Sequence, residues 1–555
     1  MLTRLAGGRL FDPTQNIDDV AGDVYIQDGY FVEAPANDGE VDRTIDVSGC
    51  VVMAGAVDIH SHIAGGNVNN ARLLMPELQL AASMQGTGLL RSGKHVGGWT
   101  ASGTGTRYAT MGYTTVVEPA VLPCNAVAAH LEMSDIPILD TAGLAILGND
   151  DYLLRMLRAK ASQKEINDHV AWTLDATRCL GLKVINAGGV AAFKQNVQTF
   201  NFDDKVPSYG VSSRRIVQAL QHAVVNLGVR HPLHVHCNNL GVAGQGIDTL
   251  IETMEAAEGM PMHLAHVQFY AYGNEGPHEF SSAAARLIDA WQKHPNITMD
   301  VGQVLFGQTV TISSDLLAQF NNRVVAKPNK AIFNMLECEG GAGAVPYEFR
   351  KLNFVNTLQW AIGLELFLLA DDPARIFFTT DHPNGAPFTR YPELFHLLMS
   401  ADYRAKVMAG LNQEALEMTL LPDLKREYSL NEIAIMTRSA AADLMGLYDR
   451  GSLAPGCVAD VAVYKPRADI GKMFSNAHLV FKSGEEVVSK GKVIATPRGC
   501  ALHTLPDYDR RRTKRNLRDY YDRYMTVKPE RFCVEPGFAD ATGGERFAEV
   551  PADAA

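Results

Sequence analysis

Val51-Val-Met-Ala-Gly-Ala-Val-Asp-Ile59 runs straight into His60-Ser61-His62. An apolar, β-branched run of this kind reads as a buried strand. Along a strand, residues i and i+2 point to the same side, so His60 and His62 aim two imidazoles at one point. Two histidines at a strand end are also compatible with ordinary polar termination. What favours metal ligation is repetition: ligand-type side chains recur wherever later apolar runs stop.

Those later runs lie at 114–119, 138–145, 182–186, 233–237, 263–267, 297–304 and 376–380. With 51–59 they make eight candidate strands separated by helix-like or loop segments, over about 330 residues. That is the pattern of a (β/α)8 TIM-like barrel with insertions. An open eight-stranded sheet is the competing architecture. Residues 212–227 and 281–291 carry the apolar spacing of helices between strands.

The ends read differently. Short β pieces fill the first fifty residues, with Asp28-Gly29 as a hairpin signal. Strand character returns after residue 450. The expected organisation is a small β-sandwich built from 1–50 and 451–500, the α/β barrel over 51–450, and a C-terminal extension over 501–555. In that extension, 507–525 reads as a charged helix suited to a subunit contact. Residues 539–555 read as a frayed tail.

Bulk composition excludes several classes. The 555 residues are 46% hydrophobic and 20% charged, with a formal net charge of -12, which argues against nucleic acid as the main partner. No run reaches the ~18 continuous apolar residues of a membrane span. The first residues lack a hydrophobic signal core, so a cytoplasmic location is expected. The eight cysteines are scattered, with no Cys-x2-Cys pair, which speaks against zinc ribbons and ferredoxin-type clusters.

The candidate site residues all stand at strand ends, where such barrels carry their chemistry. Lys183 sits inside the apolar run Gly181-Leu-Lys-Val-Ile185, and burying an unpartnered lysine is costly. A lysine with a depressed pKa could add CO2 and bridge two metal ions; a snorkelling strand-end lysine is the plainer alternative. His234-Val-His236 repeats the alternate spacing, and His263 and His266 bracket another short run. The second histidine of each pair, His236 and His266, is the expected ligand, and the first is expected to hydrogen-bond behind it. Asp381 emerges from 376–380 into the Pro/Gly-containing loop Asp381-His-Pro-Asn-Gly385, with His382 a weaker candidate. Imidazole and carboxylate donors suit zinc. Two such ions would acidify a shared water and polarise a carbonyl. Asp381 could then take the water's proton and pass it to a leaving nitrogen.

The His60-x-His62 strand, Lys183, His236, His266 and Asp381 resemble the dinuclear amidohydrolase superfamily. So does Gly451-x-Leu-x-x-Gly456-x-x-Ala-Asp460. Longer stretches are similar to the A subunits of formylmethanofuran dehydrogenases and of bacterial formyltransferase/hydrolase complexes. They are Gly55-Ala-Val-Asp-Ile-His-Ser-His-Ile-Ala-Gly-Gly66, His234-Val-His-Cys-Asn-Asn-Leu-Gly241, His263-Leu-Ala-His-Val-Gln-Phe269 and Thr379-Thr-Asp-His-Pro-Asn384.

The resemblance implies one zinc on His60 and His62, a second on His236 and His266, and N6-carboxylated Lys183 bridging them. Asp381 is then both ligand and acid/base. It implies hydrolysis of N-formylmethanofuran to formate and methanofuran, or its reverse, by one member of a multisubunit one-carbon complex, with the N-terminal stretches closer to the bacterial branch. Arg72, just after the first metal loop, is a candidate for the cofactor's anionic tail. The Gly-rich run 97–105 is a candidate lid. A cyclic-amide hydrolase of the hydantoinase or dihydroorotase kind would share all six ligands, and a catalytically silent scaffold is the non-enzymatic alternative.

Overall fold

The computed structural model describes residues 1–555 except 75–99, 196, 198–199, 277, 314–335, 338–342, 536, 538–545 and 554–555. Eight parallel strands form the central sheet: β1 (Ala56–Asp58), β2 (Tyr113–Val121), β3 (Asp140–Leu147), β4 (Gly181–Ile185), β5 (Leu233–His236), β6 (Met262–Leu264), β7 (Ile297–Asp300) and β8 (Ile376–Phe377). They pair in chain order from β1 to β8. Just past the last ladder, Ser61 and His382 form a parallel bridge that brings the ends of β1 and β8 together. The His62 N–H donates to the His382 carbonyl at 2.9 Å. The result is the TIM-like barrel expected from the strand pattern.

Alternation along the strands sorts the side chains. Leu233, Val235, Met262, Leu264, Ile297 and Met299 join the large cluster that includes Ile216, Leu220, Ile247 and Leu287 of the surrounding helices. Their neighbours His234, His236, His263, Thr298 and Asp300 therefore face the other way. A separate apolar cluster, with Val57, Val117, Leu144 and Phe377 against Ala441 and Leu444, packs beneath them.

The run 51–59 is not one strand. It splits at Gly55 into Val51–Ala54, which belongs to a second sheet, and β1. That second sheet is nine-stranded and mixed, and it is built from both ends of the chain. Val51–Ala54 pairs antiparallel with Val461–Tyr464, which joins the N-terminal strands to the C-terminal ones. One face carries Leu5, Ile26, Phe31, Val52, Val461 and Phe481 as a core of its own. Val51, Met53, Ala462 and Tyr464 on the opposite face pack into the barrel-side core.

The charged segment near the C-terminus is a helix, Arg510–Tyr524, that buries Thr513 and Leu517. Within the tail expected to fray, Arg546–Glu549 is instead a strand parallel to Cys500–His503, which itself extends the barrel sheet from β3. An open strand edge offers unpaired backbone groups, and Phe547 and Ala548 supply apolar contacts to hold the added strand. Of the Gly-rich run read as a lid, 97–99 lies outside the described residues. Ala101–Thr110 is a helix capped by Thr100, whose hydroxyl accepts from the Gly103 N–H at 3.1 Å. Among the described residues no helix is long and apolar enough to cross a membrane.

Candidate metal centre

β1 ends in a clamp that sets the course of the chain beyond it. The His60 N–H donates to Asp58 Oδ1 at 3.1 Å, and the hydroxyls of Tyr108 and Tyr391 each donate to Asp58 Oδ2 at 2.6 Å. Tyr108 Oη also lies 2.7 Å from Ser61 Oγ. The strand end is thus held at three successive points before the chain turns away.

His60 lies at the centre of the buried polar cluster. Its Nε2 is 3.2 Å from Lys183 Nζ and 3.1 Å from Asp381 Oδ1. Its Nδ1 is 3.0 Å from His234 Nε2 and 3.2 Å from Asp300 Oδ2. His62 Nε2 is 3.5 Å from the same Asp381 oxygen. The His266 ring stands 5.5 Å from the His60 ring and 4.6 Å from that of His236, edge to face. All eight residues are buried. Asn384 Nδ2 donates to Asp381 Oδ2 at 2.9 Å, leaving Oδ1 as the oxygen that faces the histidines.

Among the described residues, two groups of donors converge closely enough for an ion: His60, His234 and Asp300, and His60, His266 and Asp381. The first is already joined by hydrogen bonds at His60 Nδ1. The second is not. Asp381 Oδ1 and His266 Nδ1 are buried without a hydrogen-bond partner, and buried polar atoms ordinarily have one. Asp381 Oδ1 stands 3.1 Å from His60 Nε2 and 3.5 Å from His62 Nε2. This donor set fits a divalent metal ion.

Two carboxylates not singled out in the sequence frame these donors. Glu118, on β2, accepts from or faces His62 Nδ1 at 3.0 Å through Oε1, while its Oε2 accepts the N–H groups of Ile63 at 2.6 Å and Ala64 at 3.0 Å. Asp300, ending β7, holds four groups. Its Oδ2 contacts His60 Nδ1 at 3.2 Å and His263 Nε2 at 3.1 Å. Its Oδ1 accepts from the His266 N–H at 3.0 Å and the Thr379 hydroxyl at 2.5 Å. The available signal was a carboxylate inside an otherwise apolar strand, the same signal that singled out Lys183.

Arg72 lies on the helix Gly66–Leu74. Its Nη2 donates to the Ile63 carbonyl at 2.9 Å and its Nη1 to Asn69 Oδ1 at 2.7 Å. It braces the loop that comes after His62. His382 is buried, with Nδ1 accepting from the Phe388 N–H at 3.3 Å.

The amidohydrolase family model matches residues 43–495. Over 548 residues, 98% of either chain, the sequence is 51% identical to the A subunit of the formyltransferase/hydrolase complex Fhc of Methylorubrum extorquens. It is 33% identical over 559 residues, 97% of either chain, to the protein FwdA of Methanocaldococcus jannaschii. A chain of the crystal structure of the Methylorubrum extorquens formyltransferase/hydrolase complex with methylofuran superposes with a TM-score of 0.94 at 48% identity, covering 100% of both chains. The chain belongs to the amidohydrolase family, among the relatives of formyltransferase/hydrolase complex A subunits.

Proposed function

We propose that the chain hydrolyses the formyl amide of an N-formylmethanofuran-type cofactor to formate and the free amine, as one member of a cytoplasmic multisubunit complex. Water adds to the formyl carbon, the C–N bond breaks, and the nitrogen leaves with a proton. The observation that carries this reading is the convergence of His60, His266 and Asp381 beside buried Lys183, in a chain 51% identical to a formyltransferase/hydrolase A subunit.

In this reading His60 and His62 would hold one ion and His236 and His266 the other, with Lys183 as its carbamate and Asp381 as further ligands. Burial pulls the Lys183 pKa down to about 8, against the opposing pull of Asp381, Asp300 and Glu118. A useful fraction of its amine is then neutral near pH 7, the form that adds CO2. Two divalent ions, zinc being well suited to these donors, would polarise the formyl oxygen and acidify the attacking water. The Asp381 carboxylate accepts the water's proton and returns it to the departing nitrogen. Without that transfer the nitrogen would leave as a poor, anionic leaving group.

The test is formate release from N-formylmethanofuran by the purified protein, alone and with its partner subunits, with metal analysis of each sample. Two zinc ions per chain are expected, and Asp381→Asn should lower formate release by about 10²–10⁴-fold. Absence of formate in both preparations with metals in place would refute the assignment.

A further inference from the structure

Beneath His60 lies a line of histidines that the proposed reaction does not use. His231 precedes β5, and its Nδ1 is 3.0 Å from the carbonyl oxygen of Leu444. Its Nε2 is 3.2 Å from His234 Nδ1, and His234 Nε2 is 3.0 Å from His60 Nδ1. At the upper end His60 Nε2 meets Lys183 Nζ at 3.2 Å. His231 and His234 are buried to 1% and 0% exposure, so water does not interrupt the line.

The polarity of this line follows from its two ends. Leu444 closes the helix Ala440–Leu444, whose last carbonyls have no intrahelical partner and can only accept. His231 Nδ1 must therefore carry a proton. Burial holds the His231 pKa down at about 3, so the ring is neutral and its Nε2 is a lone pair. His234 must then donate from Nδ1. His234 Nε2 then accepts from His60 Nδ1, 3.0 Å away. Asp300 Oδ2, 3.2 Å from His60 Nδ1, likewise favours a proton there. Every constraint has the same sense.

We infer that His231 and His234, anchored on the Leu444 carbonyl, form a relay that fixes the tautomer of His60 and presents its Nε2 lone pair to the metal. The inference rests on the reading of His60 as a ligand. His231 and His234 are positioning residues, and neither touches the substrate in this scheme. The relay ties the metal centre to the helix at the floor of the barrel. The ring of His231 also lies over Gly181, where a Cβ would stand 3.0 Å from its Cδ2.

Two measurements on the full-length protein test this. In metal-free protein labelled with 15N-histidine, His60, His231 and His234 should each show a protonated Nδ1 and an unprotonated Nε2. The opposite tautomer at any of the three overturns the relay, whatever the metal does. Zinc affinity by chelator competition is the second reading. His231→Leu removes the acceptor and should weaken zinc binding about tenfold, the low end for outer-shell partners of metal-bound histidines. His231→Gln, which can donate to Leu444 and accept from His234, should recover most of that loss. Thermal unfolding of the metal-free variants shows whether each is folded. If Asp300 alone sets the tautomer, His231→Leu keeps wild-type affinity and the relay is refuted. Equal losses in Leu and Gln variants refute it too. A wild-type protein that binds no zinc would instead overturn the metal-centre reading itself.

Discussion

Glu118 shows what one side chain can do for the whole site. One carboxylate oxygen faces His62 Nδ1 while the other accepts two consecutive backbone N–H groups of the loop beyond it. Glu118→Gln keeps the size but replaces one acceptor oxygen with an NH2 group, so either His62 or the loop loses its partner. Carboxylates behind metal-bound histidines raise ligand basicity and fix ring orientation. The variant should bind zinc about 10–100-fold more weakly, read by chelator competition, with secondary structure unchanged by circular dichroism. Unaltered affinity would show that His62 needs no such support. The sequence made His60, His62 and Lys183 conspicuous because a period-2 histidine pair and a lysine in an apolar strand are locally improbable. Glu118 and Asp300 were present in equally apolar runs. Their meaning depends on which strands end up adjacent, and adjacency across 55 or 240 residues has no local signature.

The eight barrel strands were legible because each is an apolar run that stops abruptly. The division of the first run was not, since nothing in Val51-Val-Met-Ala-Gly-Ala-Val57 alternates differently before and after Gly55. The reason is steric crowding at one atom. A Cβ on Gly55 would stand 2.2 Å from Thr114 Oγ1, 2.7 Å from Thr114 Cγ2 and 3.0 Å from the Asp460 Cβ. Glycine lets the chain pass between the two sheets at a point where both press on it, and the Gly55 N–H donates to the Asp460 carbonyl at 2.8 Å there. Gly55→Ala should cost about 1–3 kcal/mol in chemical denaturation, as overpacking in a filled interior does. Thr114→Ala in the same chain should return most of that loss, because it removes the two closest atoms. Failure of the second change to rescue the first would mean that Asp460, or the backbone itself, sets the limit. The docked strand Arg546–Glu549 was illegible for a related reason, as its partner edge exists only once the barrel has formed.

At the scale of the molecule, the barrel and the terminal sheet are fastened by charge as well as by apolar packing. Lys482, in the strand Leu479–Lys482 of the terminal sheet, donates at 2.7 Å to Asp140 Oδ2 at the start of β3 and at 2.7 Å to Asp460 Oδ2. Arg450 Nη2 joins at 2.8 Å from Asp140 Oδ2, and the Cys500 N–H donates to Asp140 Oδ1 at 2.8 Å. Lys482, Asp140 and Asp460 are all buried. Burial alone would raise the Asp140 pKa, but Lys482 and Arg450 outweigh it and hold the carboxyl below its ordinary value. Burial likewise opposes the charge on Lys482, and Asp140 and Asp460 hold its pKa above the ordinary value. A depressed carboxyl stabilises the fold above its unfolded pKa of about 3.9, and that contribution is lost as pH falls through the folded value. A raised lysine contributes fully below its unfolded pKa and is lost only as pH rises through the folded one. The cluster is therefore complete across neutral pH and fails first in acid or strong alkali. Lys482→Met removes the only ammonium from the pair and leaves Asp140 and Asp460 to Arg450, at a cost of about 3–5 kcal/mol near pH 7. In that variant Asp140 lacks the lysine that holds its carboxyl below the ordinary value, so it takes up a proton at higher pH than in the wild type. The gap between wild type and variant in urea unfolding should accordingly narrow from pH 7 to pH 5. A gap that is absent at pH 7, or that widens on acidification, would show that the two sheets are held together by their apolar faces alone.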